Sequence, residues 1–219
     1  MMLSHFKKRS YALNQLDLKL LPHLDFQKGY FVEVGANDGI SQSNTLYFEK
    51  YKGWKGLLIE AIPTLAQKCR KNRIRCIVEN CAVVASDYSE KTIEMRYCNL
   101  MSVVKGGVKN EKDELKQIQS GMQFLSKNEQ SYVVSVPAKT LSTVLDEHHI
   151  KHVDLFSLDV EGYEVQVLKG IDFDRHYLDF MLIETCYRKD VEAVIRKHYK
   201  PIAILNINGH LLDILYHRK

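Results

Sequence analysis

The chain is poor in the features that mark membrane, secreted or nucleic-acid-binding proteins. No apolar run reaches the roughly eighteen residues that a membrane span needs, and Met1–Leu20 is mixed and polar rather than charged and then apolar. The expectation is therefore neither a transmembrane segment nor a signal peptide; peripheral attachment through lysines and tyrosines stays open. The five cysteines, Cys69, Cys76, Cys81, Cys98 and Cys186, form no C-x-x-C pair and no zinc-ligand spacing. An odd number of scattered thiols predicts reduced, mostly buried cysteines in a cytoplasmic protein. Excess charge is lacking too: a net +4 on 219 residues does not by itself indicate nucleic-acid binding. His148, His149, His152 and His176 show no metal spacing and read as surface residues. With 45% hydrophobic content the chain can bury one sizeable core, so 1–219 reads as a single domain.

What is present is organised around Tyr30–Gly39. Phe31–Val34 reads as a buried parallel strand carrying one acid, Glu33, and it runs into Gly35 and Gly39 and then a helical pattern from about Asn44. A strand–glycine turn–helix makes a nucleotide-binding crevice at the strand's carboxyl end. The turn lacks the second glycine of G-x-G-x-x-G, which lets backbone approach a pyrophosphate. A cofactor without phosphates does not need it, and S-adenosyl-L-methionine fits that description. Gly56–Glu60 reads as a second strand ending in an acid, 21 residues beyond Gly39. A carboxylate there accepts from ribose hydroxyls, so Glu60 and the following Ala61 are candidate cofactor residues. A third strand, Arg75–Val78, places Asn80, Cys81 and Ala82 beside the base.

The flanking chain reads more plainly. Residues 1–27 are expected to form a helical cap with Leu13, Leu16, Leu20 and Leu21 on one face. Thr92–Tyr97 and Tyr132–Val136 read as strands outside the parallel core, and the polar stretch Asn99–Ser131 between them as an inserted, lid-like segment. Thr140 or Ser142 can cap the next helix. Val153–Asp159 and Phe180–Glu184 are strands four and five, each followed by a helix. The tail folds back at Asn208-Gly209, a hairpin turn signal. The whole predicts an α/β fold: a doubly wound, seven-stranded Rossmann-like sheet with an antiparallel C-terminal hairpin, and not the eight units of a TIM barrel.

Three stretches, VEVGANDG with SQSNTLYFE, GWKGLLIEAIP, and LDVEGYEVQVLKGIDF, jointly resemble the FkbM family of S-adenosylmethionine-dependent methyltransferases. The resemblance runs from about Tyr30 to Thr185. It implies the class I methyltransferase fold and O-methylation of a hydroxyl on a sugar, glycan or natural-product acceptor. It also implies Glu33, Gly35, Ala36, Asn37 and Gly39 around the methionine part, Ser43 and Asn44 near its carboxylate, Glu60 on the ribose and Asp159 beside the sulfonium. Ser157 stands where many members have lysine.

For an alcohol acceptor a base is useful. Asp159 and Glu184 end neighbouring strands, with Glu161 and Glu164 close by, so Asp159, Glu161 and Glu184 are the catalytic candidates. They could instead hold Mg²⁺, a less favoured reading. The alternative functions are a non-catalytic S-adenosylmethionine-binding or assembly subunit and, further off, an NAD or nucleotide-sugar oxidoreductase. An Asn/Asp-Pro-Pro-aromatic motif, expected of a nucleic-acid amino-methyltransferase, is missing after strand four.

Overall fold

The computed structural model describes residues 9–107 and 118–219. In chain order the strands of the main sheet are β1 (Tyr30–Val34), β2 (Lys55–Ile59) and β3 (Ile77–Glu79), then β8 (His152–Leu158), β9 (Tyr177–Thr185), β10 (Tyr199–Asn208) and β11 (Leu211–Arg218). Their order across the sheet is β10-β11-β9-β8-β1-β2-β3. β1 pairs in parallel with β2 and β8, β2 with β3, and β8 with β9. The last strand runs antiparallel between β9 and β10, so the tail hairpin is threaded into the sheet rather than appended to it. Phe31 and Val32 are neighbours on opposite faces, and both are fully buried, as a parallel strand covered on two sides requires.

A second sheet, in the order β4-β7-β5-β6, is built from β4 (Ala82–Val83), β5 (Thr92–Arg96), β6 (Val103–Val104) and β7 (Val133–Lys139). The two strands expected outside the core are its centre. Ile93, Met95 and Val136 pack there against Ile62 and Leu65.

The helices are α1 (Leu16–Lys19), α2 (Leu21–Leu24), α3 (Leu46–Lys52), α4 (Pro63–Asn72), α5 (Leu141–Glu147), α6 (Glu164–Lys169) and α7 (Arg188–Ile195). Gly53 ends α3 with φ 66°, and Pro63 opens α4 at its first turn. One apolar layer joins Val32, Phe156 and Met181 to α5, α6 and α7; the other joins Phe31, Leu58 and Leu182 to α1 and α2.

Several sequence expectations change. The expected N-terminal cap, of which residues 1–8 lie outside the described residues, is not one helix. Asn14 and Gln15 take left-handed φ values of 52° and 58°, which break the helical period. Leu16, Leu20 and Leu24 are buried, whereas Leu13 is exposed. Thr140, not Ser142, caps α5 by accepting from the Thr143 amide, while Ser142 is buried and accepts from the Asp172 amide. His176 is buried rather than at the surface, with Nδ1 3.2 Å from the Ile150 carbonyl oxygen. Residues 108–117 of the expected lid lie outside the described residues. No helix among the described residues is long and apolar enough to cross a membrane.

Trp54 anchors the layer beneath α1 and α2. It is fully buried between Phe26 and Phe48, at ring distances of 4.8 and 4.9 Å, and its indole N–H donates to the Phe26 carbonyl at 3.0 Å. Gly29 is glycine because a Cβ there would lie 2.5 Å from the indole. Trp54→Ala is expected to destabilise the fold by about 3–5 kcal/mol through the cavity it leaves, measured by urea unfolding followed by circular dichroism.

Candidate active site

The carboxyl ends of β1, β2, β8 and β9 open into a cavity of about 390 Å³. At its floor Gly35 lets the ends of β1 and β8 come into contact. Its φ of +87° suits glycine, and a Cβ there would lie 1.9 Å from the Asp159 carbonyl oxygen. The requirement for glycine is thus contact between two strand ends. Gly39, with φ +80°, faces the other way: a Cβ would meet Arg73 and Cys69 at 2.7 and 2.8 Å.

Arg73 was not foreseen from the sequence. It ends α4 and is fully buried. Its Nε donates to Glu49, Nη1 to the Gly39 carbonyl at 2.9 Å and to Ser43 Oγ at 3.1 Å, and Nη2 to Thr45 Oγ1 at 3.1 Å. Glu33 lies 3.9 Å from the same guanidinium. It accepts from the Ser43 and Thr45 hydroxyls at 3.0 and 2.6 Å and from the Asn44 amide at 2.9 Å. Glu33 and Ser43 border the cavity, but their polar atoms are spent on shaping the loop 41–45.

Glu60 has a different surrounding. It is buried and accepts from the Asn37 and Ile62 amides, both at 2.7 Å, which leaves lone pairs on each oxygen for a ligand. Burial pushes its carboxyl up to about 7, despite the lowering effect of those amides. Asn80 does not line the cavity. Its side-chain amide donates to the carbonyls of Glu60 and Ala61 at 2.8 Å, fixing the exit of β2. Ala36, Asn37, Ala61, Cys81 and Ala82 do line it, as do Ser43 and Asn44. The Asn44 side chain donates through Nδ2 to Ser157 Oγ at 3.1 Å, while its Oδ1 is buried without a hydrogen-bond partner.

Asp159, Glu161 and Glu184 come together at the ends of β8 and β9, and all three line the cavity. Asp159 does not cap α6, whose N-cap residue is Tyr163. Burial, with the negative charges of Glu164, Asp213 and Glu33, pushes Asp159 up to about 7. Burial and Asp159 raise Glu161 well above the carboxylate range, and Glu161 has φ +55° ahead of Gly162. Glu184 is pushed up to about 10 by burial and by Asp159 and Asp213. Asp213 stands directly opposite Glu184 across the β9–β11 pair, where two ionised acids would repel. At neutral pH Glu184 is therefore protonated. Glu164, buried beside them, accepts from the Gly162 amide at 2.7 Å.

The ligand oxygens of Asp159, Glu161 and Glu184 do not all lie within 4.8 Å of one another. Among the described residues, the His, Cys, Asp and Glu atoms that meet within 4.8 Å in threes are those of His152, Asp154 and Asp179, at the other ends of β8 and β9. The roof is mostly apolar: Leu13, Met95, Leu100, Met101, Val104 and Phe124 line it beside Asn99 and Ser102, and all of these but Leu13 and Met95 come from residues 99–131. These contacts carried no sequence signal beyond hydrophobicity.

A mostly parallel sheet closed by an antiparallel hairpin, with its crevice at the strand ends, is the class I methyltransferase architecture. Within it, the Methyltransferase FkbM domain matches residues 33–218, and the chain belongs to the FkbM methyltransferase family. Methyltransferase FkbM from Methylobacillus flagellatus KT superimposes with a TM-score of 0.53 at 15% identity, covering 96% of this chain and 48% of that one. A TehB-like SAM-dependent methyltransferase from Corynebacterium glutamicum ATCC 13032 Kitasato gives 0.47 at 10% identity, over 93% and 88% of the two chains. Methyltransferase 1 of Beauveria bassiana (strain ARSEF 2860) is 32% identical over 80 residues, 35% of this chain and 32% of that protein. This chain thus aligns with less than a third of that relative's length.

Replacing Arg73 by methionine keeps volume and strands Glu33 and Glu49 in a buried setting. The expected cost is about 3–5 kcal/mol, the range for breaking a buried ion pair from one side, measured by urea unfolding at pH 7.

Proposed function

We propose that the chain is an S-adenosylmethionine-dependent methyltransferase that methylates a hydroxyl of a sugar, glycan or natural-product acceptor. One observation carries the cofactor reading. Five carboxylates, Glu33, Glu60, Asp159, Glu161 and Glu184, border the cavity, and no lysine, arginine or histidine does so among the described residues. With no cation in it, that lining offers a pyrophosphate no counter-charge and suits a cofactor with a sulfonium and no phosphate, which argues against NAD and nucleotide sugars.

The residues fit such a group from end to end. Glu60 would meet the ribose hydroxyls through its remaining lone pairs, Cys81 and Ala82 would flank the base, and Asn44 Oδ1, buried without a hydrogen-bond partner, would accept from the ammonium. Asp159 lies at the middle of the crevice, where the methyl should be. When bound, S-adenosylmethionine supplies a methyl on an already activated leaving group. The chain's task is to align the acceptor and to receive its proton. Asp159 would take the hydroxyl proton as the acceptor receives the methyl. A carboxyl near 7 is matched to that role at neutral pH. Glu184, protonated there, is a hydrogen-bond donor rather than the base. Glu161, whose carboxyl is raised by burial and by Asp159, borders the same space. Mg²⁺ has no gathered ligand set in this crevice, so no step is assigned to it.

Calorimetry with S-adenosylmethionine, S-adenosylhomocysteine and NAD, followed by an acceptor screen with labelled methyl donor, tests the reading. Glu60→Ala should weaken S-adenosylmethionine binding by about 1–3 kcal/mol. Asp159→Asn should lower turnover by roughly 10²–10⁴-fold with little change in cofactor affinity, and a chelator should leave the wild type unaffected. Normal turnover in Asp159→Asn would remove the base.

The raised carboxyls add a pH dependence. A cation favours ionised carboxylates, so S-adenosylmethionine affinity should rise as pH increases through about 7, where Glu60 and Asp159 lose their protons. S-adenosylhomocysteine, which lacks the sulfonium, should gain less over the same window. The folded protein without ligand should move oppositely. These acids hold protons more tightly folded than unfolded, so stability is greatest near or below pH 4.5 for this contribution and declines toward 7. Calorimetric titrations and urea unfolding between pH 5 and 8 read both trends.

A further inference from the structure

The cavity has one wall that the chemistry above does not use. Leu13 lines it although it is 48% exposed, and it belongs to a segment with little regular structure. Ala12 makes a single parallel bridge to Gln42, next to the loop that carries Asn44. Asn14, Gln15 and Gln42 all hold left-handed backbone without being glycine, which is costly unless the surroundings enforce it.

The enforcing group is Asp17, which is fully buried. Its Oδ2 accepts from the Tyr11 and Ala12 amides at 2.7 and 3.4 Å. Its Oδ1 accepts from Ser10 Oγ at 2.5 Å and from the Leu18 amide at 2.8 Å. One carboxylate thus gathers the segment's donors and folds it back over α1. The outer side is tied to α3, where the Tyr11 ring stacks on Tyr51 and Lys50 Nζ sits 4.7 Å from the Tyr11 ring. Position along the cavity then decides what this wall touches. Glu60 ends β2 on one side of β1, whereas Asn44 is bonded to Ser157 of β8 on the other. Loop 41–44 and Leu13 therefore flank the end of the cavity away from the nucleoside site.

We infer that Tyr11–Leu13 clasps the amino-acid end of the bound cofactor, and that Asp17 is the positioning residue that holds the clasp. The inference rests on the proposed assignment of S-adenosylmethionine to this crevice. It yields a distinction that general destabilisation does not: loss confined to ligands that carry the amino-acid chain. 5′-Methylthioadenosine has the nucleoside and the sulfur but lacks that chain.

Calorimetry on the full chain with S-adenosylhomocysteine and with 5′-methylthioadenosine tests it. Asp17→Asn keeps the size but removes the charge and presents an amide where donors converge. It should weaken S-adenosylhomocysteine by roughly tenfold, the scale of one lost charged hydrogen bond, and leave 5′-methylthioadenosine within about twofold. Leu13→Ala removes an exposed side chain that the fold does not need, and should move affinity in the same selective direction if Asp17→Asn fails to fold. Equal loss for both ligands would make the segment merely structural, and unchanged affinity for both in either variant would remove the clasp. Failure of the wild type to bind either ligand would overturn the cofactor reading and this inference with it.

Discussion

A guanidinium sealed inside the protein is the constraint on which the crevice depends. Taking Arg73 out of water costs several kcal/mol, and the cost is met only when its donors all find acceptors. Its acceptors and counter-charges come from four places in the chain: Glu33 on β1 as a counter-charge at 3.9 Å, and the Gly39 turn, loop 43–45 and Glu49 on α3 as acceptors. No subset of these satisfies the ion, so they are set together or not at all. The ring of Phe31, 5.4 Å away, closes the space beneath. The cavity wall inherits this rigidity, because the segment pinned on its far side by Arg73 is the one that presents Asn37 and Asn44 on its near side.

The same cation separates two kinds of acid that composition cannot distinguish. Glu33 and Glu49 are buried beside Arg73 and act as structural counter-charges. Glu60, Asp159 and Glu184 have no lysine or arginine partner among the described residues, and burial pushes each of them upward. Ser157, which is buried next to Asn44, adds no charge to relieve them. Glu184 and Asp213 resolve their own repulsion by retaining a proton. Glu60 and Asp159 have raised carboxyls near 7 and so remain responsive to whatever charge enters the cavity. A crevice built this way has acids without counter-charges, and on the proposed reading its stability and its ligand affinity should run in opposite directions with pH.

Much of this arrangement was legible in the sequence, for a definite reason. Parallel strands buried on two faces read as apolar runs, and β1, β2, β8 and β9 each end at a glycine or an acid that marks the crevice. Glu60 and Asp159 are singled out by that position, and both line the cavity. What failed depended on direction rather than on residue type. Gly39 reads like a cofactor glycine but makes room for Arg73, and Asn80 reads like a base contact but braces the β2 exit. Arg73 itself follows Arg70 and Lys71 in a basic run at the end of α4, and nothing local separates it from its solvated neighbours. The leucine spacing over 13–21 predicted one helix because periodicity is blind to the left-handed pair at Asn14 and Gln15, which turns Leu13 out of the core and toward the cavity.

Those differences divide the site by origin. Every polar group assigned to the cofactor comes from the main sheet or from the loops leaving it, where strand register fixes positions to within a hydrogen bond. The apolar roof comes instead from the small sheet and residues 99–131, joined to the main body by Ile62 and Leu65 of the β2–α4 region and by the two-residue strand β4. Side chains on that roof can change size without disturbing Glu60, Gly35 or Asp159, since no hydrogen bond runs from Met95, Leu100, Met101 or Phe124 side chains to the cofactor-facing residues. On the proposed reading, cofactor binding is therefore fixed by a ladder that tolerates little alteration. On the same reading, acceptor shape is set by the side chains that the small sheet and residues 99–131 present to the cavity.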